Sequence, residues 1–294
     1  MTTGTDPSTE LSDAPNVLGA LQRELSRLDS VVVAFSGGVD SAVLAHVALE
    51  VLGPERTLAV TARSASLAAG EIDHCRDLAQ AWGLPWATVD TAEMDDPRYV
   101  ANDGDRCRWC KTALMDALDP VAAAHGAVVV LGVNTDDLSD HRPGQDAARE
   151  RGASFPMVDA ALSKADVRAV ARHRGLTVWD RPAMPCLSSR LPYGTPVTVE
   201  LLSRVDRAES ALRGLGFSDL RVRHHGDTAR VEVPADELVL AAGRAEQIVE
   251  LLVSVGYRYV TLDLAGLRSG NLNAALSPRS APHAAPLAAP RGSG

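Results

Sequence analysis

The chain has 294 residues, 46% of them hydrophobic and 23% charged, a composition typical of a soluble globular protein with one large domain or two ordinary ones. The net charge of -9 weighs against broad binding of nucleic acid or anionic membranes, because both depend on many Lys and Arg contacts to phosphate. The sequence shows no signal peptide, and no apolar stretch approaches a membrane span of roughly 20 residues. We therefore expect a cytoplasmic protein whose cysteines stay reduced.

Most of the chain alternates apolar, β-branched runs with helical patterns. The predicted strands are 31–35, 57–62, 86–90 and 127–133, and the predicted helices are 41–51, 70–82, 111–125 and 163–174, the last with a capping box. Continuous apolar strands separated by amphipathic helices indicate an α/β fold with a parallel sheet covered on both faces. We predict this domain over residues 15–185, after a disordered N-terminus at 1–14.

The pattern changes near Pro182. It predicts a helix at 199–215, paired strands at 220–226 and 229–234, a helix at 236–255 and a last strand at 259–264. These elements indicate a smaller α+β domain over residues 186–273, with a boundary near 182–196 and a disordered tail at 274–294.

The stretch AFSGGVDS joins the first strand to the first helix. Gly37 and Gly38 let the backbone turn sharply, the helix N-terminus offers free N–H groups, and Ser36 and Ser41 add hydroxyl donors, which together favour a phosphate site. The stretch lacks the Walker and dinucleotide-binding patterns. It resembles the PP-loop of enzymes that cleave ATP between its α- and β-phosphates. That resemblance implies that Asp40 helps to hold Mg²⁺, while the residue alone fits equally well a helix N-terminal Asp favoured by the dipole.

The stretch LGVNTDDLSDHRPG follows the fourth strand, at the sheet edge where ligands bind in open α/β folds. Asn134, Asp136, Asp137, Asp140 and Arg142 gather there. In PP-loop synthetases a similar segment flanks ATP, which implies ATP-binding roles for Asn134 and Asp137. The alternative is a capped loop.

Three cysteines stand in two short stretches, RCRWCK and MPCLSSRLPYGTPVT. Cys107 and Cys110 form a Cys-x-x-Cys pair that by itself is compatible with a redox couple, a zinc clamp or part of an iron–sulfur site. Cys186 lies at the predicted domain boundary. The fourth cysteine, Cys75, sits within a predicted helix and is expected to be a buried thiol.

Four motifs together point to one protein family: CLSSRLPYGTPVT, RCRWCK, NTDDLSDHRPG and LRVRHHG. From about residue 15 to 273 the chain resembles the LarE family, the PP-loop sulfurtransferases of nickel-pincer nucleotide cofactor synthesis. The resemblance implies an adenine nucleotide alpha-hydrolase-like fold and an enzyme that adenylates the carboxylates of pyridinium-3,5-biscarboxylic acid mononucleotide. ATP would be consumed with Mg²⁺, pyrophosphate released, and the carboxylates converted to thiocarboxylates.

The family implies two possible sulfur sources. In some members a cysteine matching Cys186 gives up its own sulfur and becomes dehydroalanine, and a tryptophan stands at the position of Cys107. Other members have three cysteines that hold a [4Fe-4S] cluster, whose fourth iron binds sulfide from a donor. The set Cys107, Cys110 and Cys186 predicts the cluster. Zinc with His141 or His224 as a further ligand, a redox pair and a sacrificial Cys186 remain alternatives.

The strand pattern places Arg221 and Arg223 on one face, where two guanidiniums suit a phosphate or carboxylates. The alternative is a solvated face that pairs with Glu232. The family matches Glu209 to an active-site carboxylate, where a plain surface Glu is the competing interpretation. The predicted substrate-binding residues are Lys111, Ser189, Arg190, Glu209, Arg221 and Arg223.

Three further functions compete with this hypothesis. A tRNA thiolase shares the PP-loop and the cysteine pattern, although the acidic charge weighs against it. An ammonia-using PP-loop ligase would need an ammonia source, and an ATP-binding sensor would leave ATP intact. The expected partners are a small nucleotide and a sulfur donor, without nucleic acid or membrane, in a homo-oligomer.

Overall fold

The computed structural model describes residues 7–138, 143–182, 184–217 and 219–268, with side chains from residue 14 onward. In chain order the first part forms α1 (Pro7–Leu25), β1 (Val31–Ala34), α2 (Val39–Leu52), β2 (Thr57–Arg63), α3 (Glu71–Trp82), β3 (Trp86–Asp90), α4 (Pro97–Val100), α5 (Arg106–Ala124), β4 (Val128–Val130), α6 (Pro143–Glu150), α7 (Pro156–Asp159) and α8 (Lys164–His173). None of the helices in these ranges is long and apolar enough to cross a membrane.

The four strands form one sheet in the order β3-β2-β1-β4, and every pair in it is parallel. The predicted α/β architecture is therefore confirmed. Strand β1 lies between β2 and β4, so strands are added to one side of β1 and then to the other. Open parallel sheets form a ligand-binding crevice at such a point, outside the carboxyl ends of the strands. Strand β4 ends at Val130, before Gly132, and is therefore shorter than the predicted strand 127–133.

Helices cover both faces of the sheet. On one face Leu21 and Leu25 of α1 share a buried cluster with Val31 of β1 and with residues of α2 and α8. On the other face Met115 of α5 packs with Val32. Helix α8 begins with the predicted capping box between Ser163 and Asp166.

One helix was not predicted from the sequence, and another starts earlier than predicted. Helix α1 begins at Pro7, inside the segment expected to be disordered, because proline fits a first helical position and Ala14, Leu18 and Leu21 supply a buried stripe. Helix α5 begins at Arg106 rather than at Lys111. Both cysteines of the Cys-x-x-Cys pair therefore lie in the first turns of a helix and not in the preceding loop.

The last part of the chain forms α9 (Val199–Gly214), β5 (Arg221–His225), β6 (Thr228–Glu232), α10 (Leu238–Gly243), α11 (Ala245–Val255) and β7 (Tyr259–Leu262). Strands β5 and β6 pair in antiparallel fashion, as predicted, and β7 joins β6 in parallel. The single helix predicted over 236–255 is divided at Arg244, directly after Gly243. The smaller domain has its own buried core, which includes Leu212, Val222 and Leu252.

The segment where the sequence predicts a domain boundary is tightly packed. Leu187, Leu191 and Val197 belong to a buried cluster with Tyr99 and with residues of α9. The N–H of Leu187 donates to the carbonyl of Ser66, 2.8 Å away, in the loop after β2. This contact fixes the loop that carries Cys186 against the first domain. The domain limits themselves, and the two predicted disordered ends beyond the described residues, stay predictions.

Candidate active site

The loop between β1 and α2 requires glycine at its third position, Gly37. Gly37 has φ of +70°, and a Cβ placed there would lie 2.8 Å from His74 Cδ2 and 2.9 Å from Cys75 Sγ. Cys75 is fully buried, as predicted, and it forms part of the wall behind the loop. Gly38 is the N-cap of α2, and glycine has no side chain that could accept a hydrogen bond from the first turn. The N–H groups of that turn can therefore bind a ligand.

The two loop serines have different surroundings. Ser36 is exposed at the mouth of the loop. The Ser41 hydroxyl is buried; it accepts from the Ser36 N–H at 3.2 Å and donates to the Gly38 carbonyl at 3.1 Å. Ser41 therefore holds the shape of the loop, and its predicted contact with phosphate stays a prediction.

The end of β4 lies directly against the start of α2. A Cβ at Gly132 would lie 2.8 Å from the Ser41 nitrogen, so the close approach requires glycine. It brings the Asn134 amide to 3.1 Å from Asp40 Oδ1, and the Asn134 N–H donates to Asp137 at 3.2 Å. The structure thus brings together the predicted ATP-binding residues of both loops. Asp140, His141 and Arg142 lie outside the described residues.

A lysine that sequence reasoning missed completes this cluster. The Lys164 ammonium contacts the second carboxylate oxygen of Asp40, and the Lys164 N–H donates to Asp136 at 2.7 Å. Lys164 is the first residue of α8, where the helix dipole disfavours a cation, and its contacts with Asp40 and Asp136 offset that effect. The chain has only two lysines, Lys111 and Lys164. This rarity was the available signal, since both lysines lie at candidate sites.

A second missed cation reaches the loop from the other side. Arg181 donates to the Gly37 carbonyl at 3.2 Å and to Glu71 at 2.8 Å. His74 also contacts the Gly37 carbonyl, and burial together with the charge of Arg181 lowers the His74 pKa. Lys164 and Arg181 therefore supply positive charge on two sides of the loop. No local motif marks Arg181.

The described residues do not form a ready-made magnesium site. Both oxygens of Asp40 already have partners, and no three His, Cys, Asp or Glu side chains in the described ranges are grouped to hold one ion. Mg²⁺ commonly binds through one or two carboxylates together with substrate phosphates. The role of Asp40 toward Mg²⁺ stays a prediction, and no step below depends on it.

The three predicted cysteines converge from distant parts of the chain. All are free thiols; Cys107 is exposed, and Cys110 and Cys186 are half-buried. Burial raises the pKa of Cys110 to about 12, and the negative charge of Cys186 adds to this effect, as does that of Cys107. Each of the three thiols thus lies within electrostatic reach of another. At neutral pH Cys110 is a protonated thiol until a cation or metal binds it.

Two cations lie among these thiols. Burial lowers the pKa of Lys111, while the negative charges of Cys110, Cys107 and Cys186 oppose that shift. Burial also acts to lower the pKa of Arg106, but the charges of Cys186 and Cys107 outweigh it, so that the pKa is raised. A pocket that holds both thiols and cations is suited to bind an anionic group.

Three thiols are the type of ligand that iron–sulfur clusters use, so the chemistry of these residues fits such a group. The described residues include no group of three His, Cys, Asp or Glu side chains that could hold one metal ion, and the cluster stays a prediction. The ring of His224 lies 5.9 Å from that of Tyr257, a residue of the core of the smaller domain. Zinc with His224 as a ligand stays an untested alternative.

Arg190 and Glu209, both predicted to bind substrate, pair with each other. Arg190 donates to the two Glu209 oxygens at 2.8 and 2.9 Å, and both side chains are fully buried. Arg190 also donates to the Cys186 carbonyl at 3.1 Å. The interpretation of Glu209 as a plain surface residue is therefore wrong. In this structure the pair holds the loop of Cys186, and direct contact with substrate stays a prediction.

The two strand arginines are both buried, but they have different partners. Arg223 donates to Glu232 at 2.9 and 3.0 Å and to the Ser189 carbonyl at 2.8 Å. Arg221 is 7% exposed and donates to Asp219 at 3.3 Å and to the Leu220 carbonyl at 2.6 Å. The alternative of a solvated face is wrong, although its pairing with Glu232 is correct. Arg223 thus contacts the loop that carries Cys186, and substrate binding by either arginine stays a prediction.

Comparison with known proteins gives matches along almost the whole chain, and two of them exceed 35% identity. An uncharacterized protein of Synechocystis is 44% identical over 260 residues, which is 87% of this chain and 97% of that protein. The pyridinium-3,5-bisthiocarboxylic acid mononucleotide synthase of Lactiplantibacillus plantarum is 39% identical over 254 residues, or 86% of this chain and 92% of the synthase. The chain belongs to the family of this synthase. The LarE resemblance seen in the sequence is thereby confirmed.

Two partial matches agree with this membership. The family model for NAD synthase matches residues 17–101, which contain the β1–α2 loop but none of the three clustered cysteines. The tRNA(Ile)-lysidine synthase of Burkholderia mallei is 32% identical over 140 residues, only 46% of this chain and 28% of that protein. What the LarE family shares with these enzymes is therefore confined to part of the chain, whereas the match to the mononucleotide synthase includes the smaller domain.

Proposed function

We propose that this ATP-dependent sulfurtransferase converts pyridinium-3,5-biscarboxylic acid mononucleotide to its thiocarboxylate form. The observation that carries the proposal is the match to the named synthase over 92% of its length, on a chain that has a PP-loop. The electrostatic proximity of the three thiols and the contact of Arg223 with the loop of Cys186 support it further. A tRNA thiolase is the competing function; a tRNA(Ile)-lysidine synthase matches only 46% of the chain, whereas the mononucleotide synthase matches 86%.

The first half of the reaction belongs to the β1–α2 loop. The N–H groups at the start of α2 would bind the phosphates of ATP, and Lys164 and Arg181 would balance charge as it moves to the leaving pyrophosphate. A carboxylate oxygen of the substrate attacks the α-phosphorus and the bond to the β-phosphate bridge breaks. The products are an acyl adenylate and pyrophosphate.

The second half belongs to the boundary between the domains. Arg221 and Arg223 would hold the phosphate or the second carboxylate of the mononucleotide, next to Ser189. The chain between Arg181 and Cys186 spans at most about 18 Å, which limits how far apart the two half-sites can lie. A sulfide sulfur attacks the acyl carbon, AMP leaves, and a thiocarboxylate and a proton remain.

Cys107, Cys110 and Cys186 are proposed as the three protein ligands of a [4Fe-4S] cluster. When bound, such a cluster keeps one iron free for sulfide from a donor. The chain's own part is to bring three thiols together and to supply the nearby charge of Lys111. Because Cys110 is protonated at neutral pH, loading of the site releases a proton.

The function is tested with anaerobically reconstituted protein, ATP, sulfide and the dicarboxylate mononucleotide. We expect thiocarboxylate product, with AMP and pyrophosphate formed only when the mononucleotide is present. Intact ATP beside bound substrate would favour a sensor, and sulfur incorporated into tRNA in place of the mononucleotide would favour a thiolase. Either result would contradict the proposal.

The two lysines allow the half-sites to be separated by one labelling experiment. Limited acylation followed by peptide mass spectrometry reports on Lys164 and Lys111 independently, because the sequence has no other lysine. ATP should protect Lys164 and leave Lys111 reactive, while cluster reconstitution should protect Lys111. The reverse pattern would contradict the assignment of both half-sites.

A further inference from the structure

A buried polar clamp joins the helix that carries Cys107 and Cys110 to the loop that carries Cys186. Its centre is formed by Asn102, which is fully buried, and Arg106, which is 3% exposed. Asn102 lies outside the quoted motifs, and Arg106 is the first residue of RCRWCK. Burying an amide and a guanidinium is costly unless their hydrogen bonds are formed, so their partners show what the clamp connects.

Arg106 contacts both cysteine-bearing segments at once. Its Nη1 donates to the Ser188 carbonyl at 2.9 Å, two residues after Cys186. Arg106 itself lies in α5, directly before Cys107. Nη1 also donates to Asn102 Oδ1 at 2.6 Å, which fixes the direction of the fork.

Asn102 extends the connection along the loop. Its side-chain amide donates to the carbonyls of Pro192 and Thr195, each at 2.8 Å, and its own carbonyl accepts from the Gly194 N–H at 3.0 Å. The backbone of Asn102 has φ of +54°, a left-handed conformation that asparagine tolerates better than most residues. Tyr99 adds a hydroxyl contact with Ser188 at 2.6 Å.

We propose that Arg106 and Asn102 are positioning residues that hold the Cys186 loop against the Cys107–Cys110 helix, so that the three thiols are preorganised before any cluster binds. The part of this proposal that concerns cluster binding rests on the proposed function. The part that concerns the geometry of the thiols in the metal-free chain does not.

The test compares Arg106→Met and Arg106→Lys with Arg108→Met. Arg108 lies on the same helix but is partly exposed and pairs with Glu150, so its replacement controls for loss of an arginine at α5. A bifunctional thiol reagent is applied to metal-free protein, and peptide mass spectrometry measures the yield of links between Cys186 and either Cys107 or Cys110. We expect at least a fivefold loss of this yield in Arg106→Met, a smaller loss in Arg106→Lys and none in Arg108→Met.

The second readout is iron and labile sulfide after anaerobic reconstitution, with the electron paramagnetic resonance spectrum of the reduced protein. Arg106→Met should lose at least half of the iron, and the iron that Arg106→Lys retains should give an altered spectrum. If Arg106→Met does not fold, Arg106→Lys, which keeps the charge and loses the planar fork, decides the test.

Unchanged cross-linking and an unchanged spectrum in the folded Arg106 variants would overturn the proposal. If the wild-type protein binds no iron while the cross-links still depend on Arg106, the cluster hypothesis fails and the clamp stands. The two failures are therefore distinguishable.

Discussion

The nucleotide half-site and the cysteine half-site of this chain are built in opposite ways. The first is a continuous turn between β1 and α2, shaped by glycines and closed by the adjacent end of β4. The second is assembled from α5, the loop of Cys186 and the strands of the smaller domain, and buried guanidiniums hold these parts together. The first depends on backbone conformation and the second on charged side chains removed from water.

This contrast predicts where each half-site is fragile. A backbone turn fails when a side chain is added, because steric strain cannot be relieved by solvent. A site held by buried charges fails when one partner is removed, since the other is left uncompensated. The predictions below test this difference, beginning with the largest effect.

Arg190→Met should lower the free energy of unfolding by about 3–5 kcal/mol, the usual cost of breaking a fully buried ion pair. Glu209 would keep Arg213 and the Val222 N–H, which places the loss nearer the lower figure. Denaturant unfolding measures it. The matched control is Arg63→Met in the exposed pair with Asp90, which should cost about 0–1 kcal/mol. Equal losses in the two variants would remove the distinction between buried and exposed charge.

Gly37→Ala should cost about 2–4 kcal/mol, since it adds contact with His74 and Cys75 to the strain of a positive φ. Release of pyrophosphate should fall together with stability. Gly83→Ala is the control, because Gly83 also has a positive φ but has no atom within 4 Å of its would-be Cβ. Gly83→Ala should lower the free energy of unfolding by only about 1 kcal/mol. An equally small loss in Gly37→Ala would show that His74 and Cys75 move to accommodate the added methyl group.

Lys164→Met should slow pyrophosphate release about 10- to 100-fold, because it removes a positive charge from the phosphate site. Lys111→Met should leave pyrophosphate release within about twofold and instead reduce formation of the thiocarboxylate. The two products are measured in the same reaction mixture. Equal effects of both substitutions on both products would contradict the separation of the half-sites.

Alkylation of Cys110 in metal-free protein should accelerate about tenfold per pH unit between about pH 8 and 11, because only the thiolate reacts. The pKa of Cys110 is raised to about 12 by burial and by the charge of Cys186, so the thiolate fraction keeps growing through this range. Peptide mass spectrometry follows the rate. A plateau near the ordinary cysteine pKa of about 8.5 would show that the thiol is not in the buried environment described.

The sequence was most informative where function depends on neighbours in the chain. The β1–α2 loop, the parallel sheet and the β5–β6 pair follow from local patterns, and so does the capping box of α8. Lys164 and Arg181 were missed because they reach the loop through tertiary contacts over more than a hundred residues. A local pattern cannot specify such contacts.

The predicted substrate-binding residues show that a local pattern also does not determine burial. Glu209 and Arg223 were singled out, but the sequence left open whether they face solvent. Their burial depends on the packing of the Cys186 loop against β5 and α9, and no single segment determines that packing.

The most direct test of the central claim counts turnovers against the mass of Cys186. Anaerobically reconstituted protein is supplied with excess ATP, sulfide and the dicarboxylate mononucleotide, and the peptide containing Cys186 is weighed afterwards. A relay through a cluster held by the three cysteines predicts several thiocarboxylates per chain and an unchanged peptide mass. Loss of one sulfur from that peptide, with no more than one thiocarboxylate per chain, would show that Cys186 is itself the sulfur donor and would contradict the account.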